Sequence, residues 1–111
     1  MKVEDGQIFV SNGHFWRVNR LIDLSANLKS FKIPMQCFNV SDLFPTVETT
    51  TQFAEHVKKV NDADLDYPII LDDEGFVMDG RHRVIKAIIE KRKYITAVRF
   101  DETPTPDGDK D

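Results

Sequence analysis

Between Tyr67 and Phe100, three short apolar runs are separated by one acidic turn and one helical stretch. The runs are Tyr67–Leu71 ("YPIIL"), Phe76–Met78 ("FVM") and Tyr94–Phe100 ("YITAVRF"). Each is the length of a strand, and prolines and glycines lie close by. The first is apolar throughout, which predicts a strand buried on both faces. "DDEG", residues 72–75, reads as a tight turn. "RHRVIKAIIEKR", residues 81–92, reads as a helix with Val84, Ile85, Ile88 and Ile89 inward. A chain that must pack strand, turn, strand, helix and strand in this order points to an α+β fold with a small mixed β-sheet and about three helices.

The first half adds the remaining elements. Ile8–Val10 and His14–Val18 flank Ser11-Asn12-Gly13, and Asn-Gly is a strong hairpin signal. "NRLIDLSANLKS" predicts a short helix with Leu21, Leu24 and Leu28 on one stripe, Ile22 beside it and Asn19 as its cap. "KIPMQCFNV" predicts a strand, and Pro34 within it indicates an edge or a bulge. "SDLFPTVETTT" reads as a loop broken at Pro45. "TTTQFAEHVKKVNDADL" predicts a helix capped by Thr49 or Thr50, with Phe53, Val57 and Val60 on one face.

A chain of 111 residues fits one domain and one modest core. Its domain is read as residues 1–101, including the N-terminal hairpin, with 102–111 as an acidic disordered tail. The segment Asp101–Asp111 holds five acids and one lysine, so the net charge of −4 resides there and the body is formally neutral. A neutral body without a basic stripe argues against strong DNA binding, which rests on many phosphate contacts. No apolar run approaches the roughly 20 residues of a membrane helix, and "MKVEDGQIFV" lacks the apolar core of a signal peptide. The single cysteine, Cys37, allows no internal disulfide and is read as a small buried hydrophobe. His14, His56 and His82 lie far apart in sequence, so no metal cluster is expected. A cytoplasmic, bacterial-type protein is the expectation.

Asp79-Gly80-Arg81-His82-Arg83, at the junction of a strand and a helix, carries the chemistry. A helix start leaves backbone N–H groups without intrahelical partners and bears partial positive charge. Glycine permits close approach to the backbone. Arginine offers a planar fork matched to phosphate oxygens, and histidine a donor that titrates near neutrality. Asp79 could cap the helix, face Mg²⁺ or act as a base. The structural alternative is that Arg81 and Arg83 pair with Asp72, Asp73 or Glu74. His82 would then be a packed core-edge residue. "EKRK", residues 90–93, reads as a solvated helix end.

Residues 67–100 resemble the ParB/sulfiredoxin-like superfamily. The resemblance rests on Pro68-Ile69-Ile70, Gly75, Phe76–Met78, the Gly80-Arg81-His82-Arg83 junction, Ala87 in the helix and the strand Ile95–Phe100. It covers about a third of the chain, with a weaker match upstream over the strand, the Pro-containing loop and the helix that follows, and is greatest to small stand-alone ParB-like bacterial proteins. It implies a nucleotide pocket for CTP or ATP, with Gly80, His82 and Arg83 on phosphate and Mg²⁺ accompanying the nucleotide. In the family's serine-kinase branch Asp79 matches the acid. Arg81 stands where sulfiredoxins carry their reactive cysteine, which disfavours that chemistry. No helix-turn-helix follows, which disfavours site-specific DNA partitioning. The expectation is therefore a phosphate- or nucleotide-binding domain with Gly80, Arg81, His82 and Arg83 as ligands. Asp79 is the candidate catalytic residue for phosphoryl transfer or hydrolysis. Glu48 and His56 are further candidates. The alternative is a non-catalytic interaction module, such as a homodimer, with Phe15 and Trp16 of the hairpin as contact surface.

Overall fold

Asn12 and Gly13, both at positive φ (52° and 80°), fold the first segment back on itself. The computed structural model describes residues 6–38 and 47–110. In chain order the elements are β1 (Ile8–Ser11), β2 (His14–Arg17), α1 (Val18–Ser25), β3 (Phe31–Pro34), α2 (Thr50–Asp62), β4 (Ile69–Leu71), β5 (Val77–Asp79), α3 (Arg81–Ile89), β6 (Tyr94–Arg99) and β7 (Gly108–Asp109). One 3-10 turn, Met35–Cys37, follows β3. The expected loop around Pro45 lies largely outside the described residues.

The second half forms a mixed four-stranded sheet in the order β3-β6-β4-β5. β4 runs parallel to β6, and the other pairs are antiparallel. All three residues of β4 are buried, as its unbroken apolar character predicts. Alternation along the strands divides the core into two layers. Ile70, Met78, Val98 and Phe100 meet Trp16 and Leu21 on one face. Ile69, Leu71, Ile95 and Ala97 meet Val84 and Ala87 of α3 on the other. The sheet is thus covered by α1 and the hairpin on one side and by α3 on the other. β3 is an edge strand and ends at Pro34, where a missing N–H leaves no ladder bond unmade.

Several local expectations are corrected. Helix α1 begins before Asn19, with Arg17 in the cap position and no side-chain cap bond. Leu21 is buried, but Leu24 faces solvent. In α3 the buried residues are Arg83, Val84 and Ala87, and Ile88 and Ile89 are exposed. The face of α3 that meets the sheet is the one carrying Val84 and Ala87. In α2 only Val60 is buried, because the helix packs against α3. Cys37, read as a buried hydrophobe, is exposed at the end of the 3-10 turn that follows β3.

The acidic tail also departs from its expected disorder. Residues 108 and 109 form β7, which pairs with β2 in a second, three-stranded sheet. Composition misled here because the tail has few apolar side chains, and polar contacts to the hairpin hold it instead.

Two devices fix α2. Thr49 and Gln52 form a reciprocal capping box at its start. At its end Lys86 Nζ donates to Asn61 O and Ala63 O, at 2.9 and 2.6 Å. An ammonium on the last carbonyls satisfies orphan acceptors and opposes the helix dipole. Lys86→Met keeps the aliphatic stem and removes both bonds. It should lower the unfolding free energy by about 1–2 kcal/mol in urea titrations, and an unchanged midpoint would mean that the contact contributes nothing.

Candidate functional site

Gly80 alone makes the turn from β5 into α3. Its φ of 109° lies in the left-handed region, and a Cβ there would stand 2.6 Å from Ile69 Cγ2. No other residue fits without strain. This tight passage brings Asp79 and Arg83 together. Arg83 Nη2 donates to Asp79 Oδ2 at 2.8 Å, and Nη1 donates to Pro68 O at 2.9 Å. The two side chains are only 7% and 9% exposed. The guanidinium therefore joins three segments: the entry to β4, the end of β5 and the first turn of α3.

The sequence predicts Arg83 on a phosphate and Asp79 as a helix cap, a Mg²⁺-facing acid or a catalytic base. The structure uses them on each other. Asp79 does not cap α3, whose cap residue is Gly80 without a side-chain bond. Nor do the acids of the preceding turn pair with Arg81 or Arg83. Asp72 Oδ1 accepts from the amides of Glu74 and Phe76, at 2.9 and 2.8 Å, and the Asp73 carbonyl accepts from Arg99.

Arg81 is exposed at the helix start. His82 faces α2, where its Nε2 lies 2.9 Å from His56 Nδ1. The rings stack at 19°, with centroids 5.2 Å apart. One nitrogen of this contact must carry a hydrogen and the other a lone pair, so the bond needs at least one ring neutral. Burial pushes His82 down to about 4, helped by Arg81, His56 and Lys59. His56 is lowered too, by burial and then by Arg81 and Lys59, with Glu55 opposing. The structure thus brings His56 to the junction. Glu48 stays apart: its amide donates to Gln52 Oε1 ahead of α2. Lys59 was missed by the sequence reading, although it stands one helical turn after His56.

Two surface cavities, of about 390 and 420 Å³, share Leu65, Asp66 and Arg92 and lie at the opposite end of α3 from Asp79–Arg83. There Arg92 pairs with Glu90, and residues 90–93 are exposed, as the sequence reading of this segment expects. Among the described residues, no three His, Cys, Asp or Glu side chains are grouped to hold a metal ion, and no helix is long and apolar enough to cross a membrane. Compared with models of protein families, with curated proteins and with solved structures, the chain gives no match.

Two outcomes follow from this geometry. Arg83→Ala leaves the Asp79 carboxylate buried without its partner and should cost about 3–5 kcal/mol in chemical denaturation; a loss below about 1 kcal/mol would contradict a framework role. His82 titrates near its ordinary 6.5 when unfolded and near 4 when folded. Between those values the unfolded chain binds a proton that the folded chain refuses, so stability falls as the pH falls through this window. His82→Asn should flatten that part of the stability–pH curve; an unchanged slope would exclude the pair as its source.

Proposed function

We propose that this domain binds a phosphate-bearing ligand, a nucleotide such as CTP or ATP, at the first turn of α3. The observation that carries the reading is the internal neutralisation of Asp79 by Arg83. With that carboxylate compensated, an anion at the helix start meets its backbone N–H groups, its dipole and the exposed Arg81. Lys59 and the His56–His82 pair add positive or proton-accepting groups alongside. The resemblance of residues 67–100 to ParB/sulfiredoxin-like proteins supports the same location. In this version Gly80, Arg81 and His82 meet the ligand, and Arg83 acts from behind as a positioning residue.

The residues favour binding over turnover. A carboxylate 9% exposed and held by a guanidinium is poorly placed as a base. The alternative, a non-catalytic interaction module using the hairpin, draws on a different observation: that hairpin already holds an extended segment, the chain's own tail.

Calorimetric titration with CTP, ATP, GTP and inorganic triphosphate tests the binding. Saturable heat is expected with at least one of them. Arg81→Ala should weaken it by about tenfold or more, the scale of one charge-assisted contact, with no change in the thermal midpoint. The absence of heat from folded protein, or equal heat from the variant, would remove this reading.

A further inference from the structure

The tail is seated on the hairpin by a specific set of polar contacts. Asp107 is the centre of the set: its Oδ2 accepts from the Arg17 amide at 2.7 Å and from Arg20 Nη1 at 3.3 Å. The Arg17 amide, first among the causes, holds the Asp107 carboxyl below its usual range. Arg20 Nη1 also donates to Thr105 O, and the Trp16 indole to Pro104 O, at 2.7 and 2.8 Å. The Asp107 and Lys110 amides donate to Phe15 O and Gly13 O, both at 2.8 Å. Gly108 lies on the Phe15 ring so closely that a Cβ would come within 2.7 Å of it.

After Phe100 the sequence supplies no apolar side chain except two prolines. The tail therefore brings few apolar side chains of its own, and polar bonds, exposed or partly buried, hold it. Undocking exposes an open β2 edge, an indole N–H and the Arg17–Arg20 cradle. Such an edge is a template for another strand. The segment that satisfies it is extended, acidic at one position and glycine at the next. A second copy of this chain carries that segment, and its docking reproduces every contact without a new interface.

We propose that the C-terminal tail is an exchangeable strand, docking in its own molecule at low concentration and on β2 of a second copy at high concentration. The own tail competes at an effective concentration of about millimolar, so exchange grows as protein approaches that range.

The test mixes two full-length single-cysteine chains in a Cys37→Ser background, one with His14→Cys and the other, distinguished by a size tag, with Asp109→Cys. Positions 14 and 109 are directly opposed between β2 and β7 and exposed, and an exchanged tail brings them within disulfide reach. Under mild oxidation the mixed disulfide dimer should exceed both same-variant dimers and rise between about 10 μM and about 1 mM. Adding Asp107→Ala or Gly108→Val to the Asp109→Cys chain should reduce it several-fold. Emission from Trp16, the only tryptophan, confirms that each chain is folded. A mixed dimer no more abundant than the same-variant dimers, or one indifferent to both tail substitutions, overturns the proposal.

Discussion

A guanidinium with 7% of its side chain exposed must be paired, and Arg83 is paired twice. Its bonds to Asp79 and to Pro68 O hold the first turn of α3 against the ends of two strands. Burying a charge in this way costs several kcal/mol unless every donor is used. Its partners can be reached only because Gly80 turns the chain at φ 109°, against the side chain of Ile69. Sheet, turn and helix are thus linked through one ion pair. That pair also decides the electrostatics outside it, since it removes the acid that would otherwise repel an anion from the helix start.

Much of the fold was legible because its signals are local. Asn12-Gly13, the unbroken apolar strand Ile69–Leu71 and the cap at Thr49 each act through near neighbours. What could not be read depends on distant partners. Helix α2 packs on α3, so Phe53 and Val57 stay outside although they share a stripe with Val60. The tail reads as disordered by composition, yet Asp107 meets Arg17 and Arg20 across the whole length of the sequence. Nothing in the spacing of these residues announces that meeting.

The candidate site divides in the same way. Its location at Asp79–Arg83 was visible as a glycine and three basic residues at a helix start. The inward or outward direction of each side chain was not. Helical periodicity placed His82 at the border of the apolar face, and there it meets His56. For Arg83 a ligand phosphate or an acid of the 72–74 turn was the expectation, because a buried arginine is rare. The decisive information is the carbonyl of Pro68, a backbone acceptor that has no signature in the sequence.

The central claim is that an anion binds at the first turn of α3 while the Asp79–Arg83 pair stays closed behind it. The most direct measurement is a ¹⁵N–¹H NMR titration with inorganic triphosphate. The account predicts saturable shifts concentrated at the amides of Arg81, His82 and Arg83, with the Arg83 guanidinium signal still protected from exchange. Shifts centred on Arg92 and Leu65 at the far end of α3, or loss of protection at Arg83 on binding, would contradict it.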